Sequence, residues 1–340
     1  MVIFRVVANS MIGKGHMKRC IAIAKAVKLL GGNALFVTRE DSDVSILENN
    51  FMEYKTVPSM KLGSEKAISF LKDIVTETKA GVCVVDSYDV SDAAFKSLKE
   101  VCKVVLIEEY LYDVYDVDCL VNYNLYVDRL DYLTKYTGTT QLLLGIDYAP
   151  FGDETAVIGS TVSKPDINSI FVYTGENDTH ELAPGIVDSL LDCIDDSVRL
   201  RVMTSKNSAT RDILYKMSNS SSQIIIEQDV SNMSKLLKMC DIAVTSADSI
   251  CYDLLSYSIP SCVFLSDYSQ NMLLASLTQR DLMVYGGDYV SKSNKFYGDL
   301  VNGVTSLAYE DTRKKLKANI AELNLGRGTK NLAKAIMNYE

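Results

Sequence analysis

Gly13-Lys14-Gly15-His16 constrains this chain more than any other stretch. It follows an apolar run, Val2-Ile3-Phe4-Arg5-Val6-Val7, and precedes a helical pattern that starts at Met17. The order reads as strand, glycine loop, helix. In such a loop backbone N–H groups approach a ligand at a helix N-terminus, where the dipole favours negative charge. An imidazole at that place can exchange protons near neutral pH beside a bound ligand. Met17, Cys20, Ile21, Ala24 and Val27 recur at three- and four-residue steps, which predicts one buried stripe, with Lys18, Lys25 and Lys28 largely off it. Gly31-Gly32 supplies the helix stop. A second apolar run, Ala34-Leu35-Phe36-Val37, follows at once, so the first forty residues read as one βαβ unit.

The pattern continues to the end of the chain. Continuous apolar runs, the mark of parallel strands covered on both faces, recur at 82–85, 104–107, 119–121, 169–173, 200–203, 224–226, 242–245, 261–265 and 283–285. Helical segments such as 231–240 and 269–280 fill the gaps. The expected fold class is α/β with two doubly wound, Rossmann-like domains. A length of 340 residues exceeds what one core usually serves. Gly152, Gly159, Ser160, Ser163 and Pro165 mark the break, giving expected domains of 1–150 and 166–340. Whether the last helices, 310–324 and 330–339, cross back to the first domain stays open.

A net charge of −9 argues against a nucleic-acid or anionic-membrane partner, since both need a basic face. Eight cysteines without a C-x-x-C pair read as buried free thiols in a reducing compartment, and His16 and His180, the two histidines, lie too far apart to suggest a metal. No apolar stretch is long enough to span a membrane, and the chain enters a strand with no signal peptide before it. The expectation is a cytoplasmic protein without metal or cofactor.

In doubly wound sheets the chemistry follows the strands. Here that places Gly13, Gly15 and His16 after the first strand, Asp86-Ser87-Tyr88 after 82–85, and Glu108-Glu109 after 104–107. Thr174-Gly175-Glu176-Asn177-Asp178 follows 169–173. Ser246-Ala247-Asp248-Ser249 follows 242–245 and opens a helix carrying Asp253. Asp267 and Ser269-Gln270 follow 261–265. Asp86 reads equally as a helix cap, and Ser246 and Ser249 as caps or anion ligands. Glu108-Glu109 reads as a solvated loop and His180 as surface. Tyr110, Tyr112, Tyr115, Tyr123 and Tyr126 read as half-buried packing or the lining of a cleft.

Residues 12–24, IGKGHMKRCIAIA, resemble the G-x-G-H-x-x-R-x-x-x-L-A opening of the PseG/SpsG group, UDP-sugar hydrolases of pseudaminic acid biosynthesis and related spore-coat polysaccharide proteins. That group shares the GT-B architecture with the MurG-type glycosyltransferases. Val84–Tyr88, Val121–Asn124, Gly145–Ala149, Met239–Ala243, Ile259–Ser261 and Ser269-Gln270 follow in the group's order. The resemblance implies a nucleotide-sugar hydrolase of surface polysaccharide or nonulosonic acid biosynthesis. His16 would activate water at the anomeric carbon, with Gly13, Gly15, Arg19, Asp86, Tyr88 and Tyr148 around the sugar. Thr174, Gly175, Ser246, Ser249, Asp253, Ser269 and Gln270 would hold the uridine diphosphate, Asp253 on the ribose.

The alternatives are a GT-B glycosyltransferase with a UDP-sugar donor and a non-catalytic binding relative. The chain departs from the group's pattern at Val7, where an acid is usual, at Gly152, where an arginine is usual, and in both phosphate loops. Side chains there replace glycines, and Asp248 brings like charge near the expected anion, a repulsion of about 1 kcal/mol at 4 Å in water.

Overall fold

The computed structural model describes residues 1–9, 15–61, 63–151, 165–228, 230, 232–323 and 325–340. By its contacts the chain divides into two units, Met1–Phe151 with Arg327–Glu340, and Gly152–Gly326. In the first unit the order is β1 (Val2–Val6), α1 (Gly15–Leu29), β2 (Ala34–Arg39), α2 (Ser45–Asn49), β3 (Glu53–Val57) and α3 (Glu65–Thr78). There follow β4 (Val82–Asp86), α4 (Asp92–Leu98), β5 (Lys103–Ile107), β6 (Cys119–Asn122), α5 (Tyr132–Lys135) and β7 (Gln141–Leu144). The second unit runs β8 (Ser169–Tyr173), α6 (Ala183–Leu191), β9 (Arg199–Thr204), α7 (Arg211–Ser220), β10 (Ile224–Gln228), α8 (Met233–Leu237), β11 (Ile242–Ser246) and α9 (Ile250–Ser256). It continues with β12 (Ser261–Leu265), α10 (Asn271–Gln279), β13 (Val284–Asp288), α11 (Phe296–Ala308) and α12 (Glu310–Glu322). The last helix, α13 (Gly328–Met337), returns to the first unit.

Among the described residues the first sheet has seven parallel strands in the order β3-β2-β1-β4-β5-β6-β7, and the second six in the order β10-β9-β8-β11-β12-β13. Both orders reverse beside the first strand of their unit. These reversals are the topological switch points at which open α/β sheets receive ligands, outside the carboxyl ends of the strands. In the first sheet the switch lies between β1 and β4, where Val6 pairs with Asp86. In the second it lies between β8 and β11, where Tyr173 pairs with Thr245.

The central strands are buried on both faces, which is why they read as continuous apolar runs. Val2, Phe4 and Val6 face a core shared with Met17, Cys20, Ala24 and Val27 of α1 and with Leu332, Ala333 and Ile336 of α13. Ile3 faces the opposite core, with Leu71 and Val75 of α3 and Phe95 of α4. At the end of α1 the Gly32 N–H reaches the Val27 carbonyl and the Gly31 N–H the Lys28 carbonyl. Gly31 takes φ of +90°, a conformation in which a glycine carries no Cβ penalty.

Candidate functional site

The first candidate site lies at the β1/β4 switch point. Asp86 is the last residue of β4 and is 1% exposed. His16 and Arg19 lie one turn apart on the face of α1 that crosses it. Arg19 grips the carboxylate in bidentate fashion, Nε donating to Oδ2 and Nη2 to Oδ1, each at 2.6 Å. Its Nη1 donates to Glu109 Oε1 at 2.7 Å and to the Tyr123 hydroxyl at 2.5 Å. His16 Nδ1 lies 2.6 Å from Asp86 Oδ1 and 2.8 Å from Arg19 Nη2. A guanidinium N–H can only donate, so Nδ1 accepts from Arg19 in one tautomer and donates to Asp86 in the other. The shorter contact assigns the Nδ1 proton to the Asp86 bond, the tautomer that leaves Nε2 with its lone pair. The Cys20 thiol donates to Asp86 Oδ2 at 3.4 Å.

Asp86 therefore does not cap the helix after β4. That cap is Ser91, whose hydroxyl accepts from the Ala94 N–H. Burial alone would push the Asp86 carboxyl up. The Arg19 guanidinium and His16 outweigh it and hold the group below the usual carboxylate range. Glu109 follows the same balance and is likewise lowered. Tyr88 stacks edge-on to His16, ring centroids 4.9 Å apart, and donates to Glu109 Oε2 at 2.9 Å. Burial, then the charge of Glu109, pushes its phenol well up, so it remains a donor.

His16 is 7% exposed, yet it is not sealed in packing. It borders a shallow, partly open pocket whose other walls include Arg19, Asp86, Tyr88, Glu108, Glu109, Tyr112 and Tyr115. Glu108-Glu109 is thus not the solvated loop expected from sequence. Glu108 is 8% exposed, and Glu109 is tied to Arg19 and Tyr88. Glu108 is the residue that sequence reasoning passed over, although its place directly after β5 was the available signal. Tyr132 hydrogen-bonds one side of its carboxyl, while buried Oε1 has no partner. Burial pushes this carboxyl up to about 7.

Gly13 lies outside the described residues. Gly15 is exposed at the start of α1, with no atom within 4 Å of where a Cβ would stand. Tyr148 is half-buried against the α1 core and is not among the pocket's walls. Of the tyrosines, Tyr112 and Tyr115 line the pocket, Tyr123 serves Arg19, and Tyr110 stacks on Tyr126 at 5.7 Å. His180 is exposed.

The candidates in the second unit follow β8 and β11, which flank its switch point, and β12. Thr174 and Gly175, the latter at φ +105°, follow β8. Two carboxylates occupy helix starts here. Asp178 accepts from the Leu182 and Ala183 N–H groups at 3.0 and 3.1 Å, at the start of α6. Asp248 accepts from the Ile250 N–H at 2.9 Å and from the Ser246 hydroxyl at 3.1 Å. Burial pushes Asp248 up to about 6, against these hydrogen bonds. Ser249 precedes α9 without a side-chain cap bond, and Ser246 is fully buried. Asp253 lies on α9; with Asp248 and Glu176 its charge pushes up buried Tyr173, burial being the larger cause. Ser269 donates to Asp267 at 2.6 Å, and Gln270 Oε1 accepts from the Asp267 N–H at 3.4 Å, closing a capping box. Among the described residues no group of three or more His, Cys, Asp or Glu could hold a metal, all eight cysteines are free, and no helix is long and apolar enough to cross a membrane.

Two parallel α/β sheets of seven and six strands match the GT-B fold. Solved structures of that class align with the whole chain. MurG of Acinetobacter baumannii superposes with a TM-score of 0.70 at 9% identity, covering 99% of each chain. The S. aureus MnaA–UDP co-structure superposes with a TM-score of 0.70 at 13% identity, covering 99% of this chain and 95% of that one. In sequence, a Campylobacter jejuni protein named UDP-2,4-diacetamido-2,4,6-trideoxy-beta-L-altropyranose hydrolase is 24% identical over 255 residues, 73% of this chain and 85% of that one. The chain thus resembles the PseG-like hydrolases, within a MurG-type fold. An uncharacterised Methanocaldococcus jannaschii protein, MJ1062, is 23% identical over 343 residues, 96% of this chain. The chain spans 64% of that relative's length. No protein-family model matches.

Proposed function

We propose that this chain is an enzyme acting on a nucleotide-sugar, and that it hydrolyses one, with His16 as general base. The observation that carries this reading is the bond between His16 Nδ1 and a carboxylate that Arg19 keeps ionised. That bond fixes the tautomer and leaves Nε2 free to take a proton from water. As the water oxygen bonds to the anomeric carbon, the C1–O bond to the diphosphate breaks and its electron pair leaves with the nucleotide. Asp86 stabilises the imidazolium that results. Arg19 and Asp86 act through His16 in this reading, since each is already engaged by the other. The second unit takes the uridine diphosphate through Thr174, Gly175, Ser249, Asp253, Ser269 and Gln270, while Ser246, buried and bonded to Asp248, holds that loop from behind. The 24% identity to a Campylobacter protein named as a UDP-sugar hydrolase supports the hydrolytic reading.

Release of UDP from a panel of UDP-sugars, with and without sugar acceptors, tests this. Turnover is expected without any acceptor. His16→Ala should lower kcat by about 10²–10⁴-fold while leaving UDP affinity in place. Strict dependence on an added acceptor would make the chain a transferase, and full activity in the variant would remove His16 from the chemistry.

A further inference from the structure

The pocket beside His16 carries a group that the hydrolytic mechanism leaves unused. Glu108 is more than nine-tenths buried, and its Oε1 has no hydrogen-bond partner. Tyr132, which hydrogen-bonds the same carboxyl, itself accepts from Asn122 Nδ2 at 2.9 Å, so the side chain is braced from behind. A buried acceptor left open is costly unless something fills it. Glu108 also stands in a wall whose charges lean one way. Asp86, Glu108 and Glu109 contribute three carboxyl groups, against the guanidinium of Arg19. Each nitrogen of that guanidinium already donates, Nε and Nη2 to Asp86 and Nη1 to Glu109 and Tyr123, so none is left over for an incoming anion. A ligand group entering here meets acceptors and negative charge.

We propose that Glu108 is the specificity-determining residue of this pocket. Its open Oε1 accepts a hydrogen bond from a hydroxyl, amide N–H or ammonium group of the sugar. The pocket therefore takes neutral or amino-bearing sugars and excludes carboxylated ones. This rests on the nucleotide-sugar reading and narrows it to a chemical class of sugar. Once Glu108 is ionised, a carboxylated sugar would place like charge against Glu108 and Glu109, and Arg19, the one lysine or arginine among the described wall residues, is already taken up.

The test uses the full chain and three probes, UDP, UDP-N-acetylglucosamine and UDP-glucuronate, titrated calorimetrically at pH 8, where the Glu108 carboxyl is mostly ionised. Wild type is expected to bind the neutral sugar nucleotide at least about tenfold more tightly than the acidic one, the scale of a hydrogen bond to a charged group. Glu108→Gln keeps the shape and removes the charge, and should shrink that ratio to about threefold or less. Free UDP should bind the variant within about twofold of wild type. Glu108→Asp withdraws the acceptor but keeps the charge, and should weaken the neutral probe while still excluding the acidic one. Melting curves establish that both variants fold. Equal or tighter binding of UDP-glucuronate by wild type, or an unchanged ratio in Glu108→Gln, overturns the proposal. Absence of UDP binding counts instead against the nucleotide reading. N-acetylglucosamine and glucuronate alone, followed by saturation-transfer NMR, then carry the same contrast, and no preference for the neutral sugar overturns the assignment of Glu108.

Discussion

Glu108 and Asp86 lie in one pocket and respond to burial in opposite ways. Asp86 is held low because Arg19 sits on both its oxygens, whereas Glu108, with Tyr132 alone beside it, is pushed up to about 7. The unfolded chain returns Glu108 to the ordinary range near 4.5. An acid whose folded value is raised costs stability as pH rises above its unfolded value, and the full cost is reached above its folded value. Glu108→Gln should therefore stabilise the chain more at pH 8 than at pH 5, by roughly 3 kcal/mol at most. Urea melts of both proteins at the two pH values measure it, and an equal effect at both would show a solvated carboxyl. For Asp86 the sign reverses. Its contribution is present above the unfolded value and fades as pH falls toward its lower folded one, and Asp86→Asn should cost about 3–5 kcal/mol at neutral pH by stranding the Arg19 charge. The site was half legible in the sequence. His16 and Asp86 stood out because each follows a strand, and chemistry gathers there. Two acids in succession, Glu108 and Glu109, look solvated in one dimension. Only tertiary packing, with Tyr132 from beyond β6 and Arg19 from α1, buries the first and binds the second.

At the scale of elements, legibility followed burial. The central strands were readable because a strand covered on both faces must be apolar throughout. β3, Glu53–Val57, went unread because it lies at the sheet edge, largely exposed, where charges and a threonine are tolerated. β7, at the other edge, is four residues long and offers no periodicity. Close approaches are invisible to periodicity in the same way. Gly328 opens α13 against Ala149, and a Cβ there would run into the Ala149 carbonyl oxygen and backbone nitrogen. Backbone cannot yield as a side-chain tip can. Gly328→Ala should therefore destabilise the first unit by about 1–3 kcal/mol, the usual scale of overpacking. Gly298 of α11 is the control: it is exposed and nothing lies within 4 Å of its Cβ position, so Gly298→Ala should stabilise by roughly 0.5–1 kcal/mol. Chemical denaturation of the two variants decides the matter, and a neutral Gly328→Ala would mean that α13 shifts without penalty.

For the molecule as a whole, the two units are not consecutive segments. The chain leaves the second after Gly326 and ends as α13 in the core of the first. Leu332, Ala333 and Ile336 are fully buried there beside Met17, Cys20 and Ala24, the stripe on α1 that also sets His16 and Arg19 over Asp86. Burying a leucine and an isoleucine is worth about 1.5–3 kcal/mol each, so removing α13 should take roughly 3–6 kcal/mol from the first unit. That is a large share of the 5–15 kcal/mol on which a typical domain stands. The second unit keeps its sheet and its own core of Ile170, Val172, Val244 and Phe264, none of which α13 supplies. A chain ended after Gly326 should therefore lose hydrogen-exchange protection in α1 and β1 while β8, β11 and β12 keep theirs. Because the helix that loosens carries His16, turnover should fall with that protection, while UDP affinity, assigned to the second unit, should persist. Uniform loss of protection across both sheets would instead make the chain one cooperative unit, with α13 stabilising all of it.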